Sequence, residues 1–154
     1  MMMLEMIAQC NWVRPIYVAL TVGEDNYMNL GDNFVQEGLV NRITPFTTNK
    51  PGAKNFDTEK AYHNIMTRFK FGNLKQKGLY IDETTMRMSY THRRLLAQTA
   101  LQLLSEHKNK KAIDILKKAD VEIPDYNVPI DYMSGCIDMA RGWILAGQKK
   151  NAAE

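Results

Sequence analysis

Apolar and polar positions change their rhythm near residue 55. In the first part, Leu4 to Cys10 reads as a short helix. Arg14-Pro15 then leads into IYVALTV, residues 16–22, a run rich in β-branched and aromatic side chains that stops at Gly23 and predicts a strand. A short helix is expected near Asp32 to Glu37. A second strand is expected over Leu39 to Thr44, where apolar and polar residues alternate up to Pro45. Residues 47–55, TTNKPGAKN, are turn formers or polar apart from Ala53 and predict a surface loop.

From Phe56 the spacing is helical. Asp57 or Thr58 is placed to cap a helix running to about Phe71, with Gly72 as its stop, and Ala61, Tyr62, Ile65, Met66 and Phe69 mark one buried face. The loop GNLKQKG follows. Asp82 is a good N-cap for a long helix from Glu83 to about His107, and Ile81 and Met86 occupy hydrophobic-staple positions around it. Leu96, Ala100, Leu103 and Leu104 line one side of that helix. Asn109 is expected to cap the next helix, which turns Ala112, Ile113, Leu116 and Ala119 inward and is closed by Pro124. Pro129 begins a last helix to about Ala146, followed by Gly147.

The expected organisation is a mixed strand and helix segment over 1–55, packed on a helical domain over 56–154. The fold class is mainly α, with one or two short strands near the N-terminus. The helical part reads as antiparallel helix pairs resembling tetratricopeptide repeats, an α-α superhelix. Such a repeat takes about 34 residues and sets small side chains where its helices cross, with bulky ones a turn away. Leu96, Ala100 and Leu103 on one helix fit this pattern, as do Ala112, Leu116 and Ala119 on the next, closed by Pro124. A second, poorer copy begins 40 positions later with Cys136, Ala140 and Trp143, and would place Ala152 where Ala112 stands in the first. The last helix is therefore expected to cap the stack.

Composition narrows the classes. The 154 residues carry 45% hydrophobic and 24% charged side chains, values of a globular chain rather than a disordered or disulfide-dense one. The longest uncharged stretch, Leu95 to Ser105, is eleven residues, short of the roughly 20 that cross a bilayer. The net charge of +3 is dispersed among acids, without a basic stripe or motif, so no nucleic-acid partner is expected. Arg93-Arg94, Lys108 to Lys111, Lys117-Lys118 and Lys149-Lys150 read as solvated helix faces. No secretory signal is visible, and three methionines set directly before a patterned segment suggest a piece of a longer protein.

No constellation for bond-making is present. His63, His92 and His107 stand in no ligand motif, Cys10 and Cys136 form no CxxC and read as small buried hydrophobes, and no metal or cofactor is expected. Sequence leaves open whether the cysteines pair. Two weaker clusters suggest binding. Arg87, Tyr90, Thr91 and Arg94 share a stripe of the long helix, suited to an anion or a partner's carboxylates, or to internal pairing with Glu59, Glu83 or Asp131. Trp12, Arg14 and Tyr17 are an aromatic and cationic group suited to packing or to sugar. Asp82-Glu83 reads as a helix cap and first-turn charge, and Asp131 and Asp138 as a carboxylate pair on one helix face.

Three stretches carry a family resemblance: NWVRPIYVALTV at 11–22, GLYIDETTMRMSYTHRRLLAQ at 78–98 and YNVPIDYMSGCIDMARGWILAGQ at 126–148. Together they resemble the C-terminal soluble region of a family of large bacterial multi-span membrane proteins of unknown function. That family resembles C-type glycosyltransferases and is similar to a eukaryotic membrane O-mannosyltransferase. The resemblance runs from Met3 to about Gln148. It implies sugar transfer from a lipid-linked donor in the parent protein, with the acidic catalytic residues on the membrane half, so it carries no catalytic residue onto this chain. It also implies a non-membrane domain on the periplasmic side, with the parent's own membrane domain as partner. The function expected is a non-catalytic interaction or accessory domain for a peptide, partner or glycan. The competing expectation is a self-contained hydrolase using Asp82, Asp131 or Asp138.

Overall fold

The structure, a computed structural model, describes residues 2–47 and 55–152. It is about 51% helical, with five helices and a small four-stranded sheet, in two compact units, Met1–Asp57 and Thr58–Glu154.

In the first unit, helix α1 (Met2–Cys10) ends in two successive left-handed residues, Asn11 and Trp12. Strands β1 (Tyr17–Ala19), β2 (Phe34–Gln36), β3 (Val40–Ile43) and β4 (Asn55–Phe56) form one sheet in the order β1-β3-β2-β4. β3 pairs antiparallel with both β1 and β2, placing Arg42 opposite Tyr17 and Ile43 opposite Phe34, while β4 runs parallel to β2. Phe34 and Ile43 are buried, and the Tyr27 ring meets Phe34 edge-on at 4.8 Å.

This sheet corrects the expectation of one or two strands. The helix expected at Asp32 to Glu37 is a single 3-10 turn, Gly31–Asn33, running directly into β2. Phe34-Val35-Gln36 is too short for its alternation to show in sequence; antiparallel β3 supplies its backbone partners. The strand expected over 16–22 shortens to Tyr17–Ala19, and Val22 N–H closes a turn on the Ala19 carbonyl at 3.1 Å. Residues 48–54 of the expected 47–55 loop lie outside the described residues.

In the second unit, α2 (Thr58–Thr67), α3 (Glu83–Ser105), α4 (Asn109–Glu122) and α5 (Cys136–Leu145) share one apolar core. Asp82 caps α3, its carboxylate accepting from Thr84 N–H at 2.9 Å and Thr85 N–H at 3.0 Å. Between Arg93 and Leu103 the helix is buried on several sides, at Leu95, Leu96, Ala97, Thr99, Ala100 and Leu103, because α2, α4 and α5 all pack on it. Each such leucine contributes roughly 1.5–3 kcal/mol relative to an exposed one.

Three helix boundaries move. α2 stops at Thr67 rather than Phe71: Arg68 and Phe69 N–H both close on the Asn64 carbonyl, and the Lys118 ammonium of α4 donates to the Ile65 and Met66 carbonyls at 2.7 and 3.1 Å. Asn109 is the first helical residue of α4, with Lys108 in the cap position. The last helix starts at Cys136 rather than near Pro129. Residues 123–131 are extended or turning, Tyr132–Ser134 is a 3-10 turn, and Gly135 at φ +79° breaks the path before α5.

Candidate functional site

The second unit contains a cavity of about 890 Å³ bounded by α4, α5 and the connector between them. Its walls are mostly apolar, with Val121, Ile130, Ile137 and Trp143 prominent, and Arg93, Lys117, Asp120 and Asp125 as the ionisable groups.

Arg93 builds one wall. The residue is buried, and its guanidinium donates to three carbonyls of the α4–α5 connector: Ile123 at 2.9 Å, Val128 at 2.7 Å and Pro129 at 3.3 Å. A planar fork with several fixed donors suits three converging carbonyls in a way an ammonium does not. Burial lowers its pKa, and nearby Tyr90 and Asp120 oppose that shift. The sequence reading of Arg93 as solvated is therefore corrected. The signal was present: Arg93 stands three and seven residues before Leu96 and Ala100, on the buried face.

Asp120 lies on the opposite wall. Desolvation raises its carboxyl pKa, while a hydrogen bond from Trp143 and the charge of Arg93 act the other way. Trp143 is buried, and its indole N–H, a donor only, is spent on this carboxyl. Asp120 has no sequence motif to mark it.

The residues predicted from sequence lie apart from this cavity. Arg87 is exposed and pairs with Glu83 one turn back. Arg94 is exposed and donates to the Met133 carbonyl at 2.6 Å. Tyr90, between them, is half-buried against the core and close to Arg93. Trp12, Arg14 and Tyr17 are all exposed around the turn from α1 into β1. Asp82 is engaged as the α3 cap, which with the Thr85 hydroxyl lowers its pKa. Asp131 and Asp138 do not line the cavity; Asp131 N–H donates to Ser134 Oγ at 3.0 Å, whose hydroxyl returns to the Asp131 carbonyl. Both cysteines are free and half-buried rather than buried, each thiol donating to a backbone carbonyl, Cys10 to Arg14 and Cys136 to Asp131. Among the described residues no group of acids, histidines and cysteines has the arrangement of a metal site, and no helix is long and apolar enough to cross a membrane.

These features define a helical unit with one cavity beside a small sheet unit. Residues 1–61 match the family model described as TMEM260-associated domain 2, which points to a TMEM260-like family. The match spans the whole sheet unit and the first turn of α2, so the cavity and the stretches at 78–98 and 126–148 lie beyond it. No curated protein and no solved structure matches the chain.

Proposed function

We propose that this chain is a non-catalytic interaction domain of a TMEM260-like membrane protein and that the α4–α5 cavity is its binding surface. The observation that carries the reading is the cavity's chemistry. Its walls are apolar, and the polar groups deepest in it are engaged: Arg93 with three carbonyls and Asp120 with the Trp143 indole. Engaged groups orient a ligand; they are poorly placed to move protons or attack a bond.

The helical unit is read as a repeat stack of the tetratricopeptide kind. Two observations support this. α2 packs on α3 and α4, α3 on α4 and α5, and α4 on α5, so each helix touches the next two. The small residues Ala100, Ala112 and Ala119 are all buried between bulky neighbours. The parent is read as glycosyltransferase-like, with this domain on the periplasmic side and the membrane half among its partners, on the strength of the sequence resemblance.

The test is a screen of the full chain against extended peptides and oligosaccharides, followed in 1H–15N spectra. The reading expects a ligand that shifts the Trp143 indole signal and the Val121 and Ile137 amides. Failure of every peptide and glycan to perturb them overturns it. Hydrolysis of an ester or glycoside that is lost in Asp120→Asn would instead establish the enzymatic alternative.

A further inference from the structure

One helical face in the second unit is covered and a second, built alike, is open. On α3, Leu96, Ala100 and Leu103 are fully buried in the cluster that also holds Ala112, Leu116 and Ala119 of α4. Forty positions later, α5 repeats the same sequence of sizes with Cys136, Ala140 and Trp143. These three line the cavity, and Cys136 and Ala140 are only half-buried. Ala152, which stands 40 positions after Ala112, lines the same cavity. Two large apolar side chains on its walls face water: Ile137 is 68% exposed and Val121 61%. On α5 the exposed Ile144 follows Ile137 by seven residues, two turns along one face.

We propose that this cavity seats an amphipathic helix of a partner protein with the chemistry of α4: small and branched apolar residues on one stripe, lysines beside it. The proposal rests on the reading of the cavity as a binding surface. The repeat of residue sizes dictates the stripe, because an alanine at the crossing admits a helix backbone and the residues a turn away fill its grooves. Charge dictates the lysines. Asp120 and Asp125 stand on the walls, and of the two cations there Arg93 is already committed to three carbonyls. Size agrees, since a helical turn with its side chains fills roughly 500 Å³ and the cavity offers about 890 Å³.

The probe is a fluorescein-labelled, hydrocarbon-stapled peptide of Asn109–Glu122, the α4 sequence itself, with the staple replacing the exposed Lys110 and Asp114. Titrated against the full chain, it is expected to give saturable anisotropy with a micromolar Kd and to move the Trp143 indole cross-peak. Ile137→Asp, at an exposed position that folding does not depend on, is expected to weaken binding at least about tenfold, and Ala140→Arg to weaken it further. A scrambled peptide of the same composition is expected not to bind. Absence of saturable binding, or binding that Ile137→Asp leaves intact, overturns the proposal. So does a homodimer of the chain that Ile137→Asp dissolves, which would make a second copy the occupant. If the α4 peptide fails while another peptide or a glycan shifts the Trp143 signal, this proposal falls and the binding-surface reading stands; if nothing shifts it, both fall.

Discussion

Gly135 and Arg94 approach so closely that a methyl group does not fit between them. A Cβ built on Gly135 lies 2.8 Å from the Arg94 Cα, and Gly135 has φ +79°. The close approach lets the turn before α5 rest on the α3 backbone, where Arg94 also holds the Met133 carbonyl. Gly135→Ala therefore meets two penalties, left-handed strain of about 1–2 kcal/mol and a clash with backbone of about 1–3 kcal/mol. Gly78 has the same φ but nothing within 4 Å of its Cβ position, so Gly78→Ala carries the strain alone. Urea unfolding of the two variants should differ by the contact term, with Gly135→Ala the less stable.

Helices α3 and α5 end alike on different residues. In α5, Gln148 N–H bonds the Trp143 carbonyl and Gly147 N–H the Ile144 carbonyl, with Gly147 left-handed. In α3, Lys108 N–H bonds the Leu103 carbonyl and His107 N–H the Leu104 carbonyl, with His107 at φ +61°. Both are Schellman endings, which favour glycine at the left-handed position. His107→Gly should stabilise the chain by roughly 1 kcal/mol, and Gly147→Ala should destabilise it by a similar amount. Thermal unfolding of the pair checks both signs.

The parts legible in sequence are those fixed by local patterns. Asp82 marked the start of α3, because a carboxylate before a helical run satisfies N–H groups within its own turn. The faces of α3 and α4 followed from the spacing of Leu96, Ala100, Leu103, Ala112, Leu116 and Ala119. β2 was not legible: three residues give no period, and its hydrogen bonds come from β3 beyond a turn. The start of α5 was displaced because Pro129 is a common helix opener, whereas the actual break is Gly135, whose need for glycine arises from α3, 41 residues earlier in the chain. Arg93 and Asp120 were missed for the same reason. Their partners, a connector carbonyl cluster and the Trp143 indole, come from elements distant in sequence, and a charge beside another charge reads as surface.

Glu59 predicts an acid limb in stability. It accepts from Lys108 at 2.7 Å and Lys111 at 2.5 Å, and these hydrogen bonds hold its carboxyl at about 2, well below its ordinary 4.5. A depressed carboxyl pKa contributes stability that is present above the unfolded value and lost as pH falls through the folded one. The loss from this group therefore falls between about pH 4.5 and 2. Lys108, raised by Glu106 and Glu59, works with the opposite sign, its contribution fading only at strongly alkaline pH. Glu59→Gln should flatten the acid limb, and because the pair is exposed, 0.5 M salt should flatten it in the parent chain too. An unchanged pH–stability profile in Glu59→Gln would sink this assignment.

Arg93 offers the sharpest test of how the cavity is held open. Its guanidinium satisfies the Ile123, Val128 and Pro129 carbonyls, and the connector that carries them supplies the cavity residues Ile123, Asp125 and Ile130. Arg93→Lys keeps the charge but cannot present a planar fork to three acceptors at once. At least one buried carbonyl then goes unpaired, costing about 1–3 kcal/mol, and the shorter ammonium is buried with fewer bonds. Arg93→Met removes the charge and leaves all three carbonyls without this donor, so its cost should be the larger, near the top of the range for a buried polar network, roughly 3–5 kcal/mol. The expected order of stability in chemical unfolding is parent, Arg93→Lys, Arg93→Met. Amide exchange at Asp125 to Val128 should speed up in both variants while the α3 amides around Ala97 stay protected in Arg93→Lys, since the connector loosens before the core opens. A Met variant as stable as the parent would show that hydrophobic packing, rather than the guanidinium, sets the connector in place.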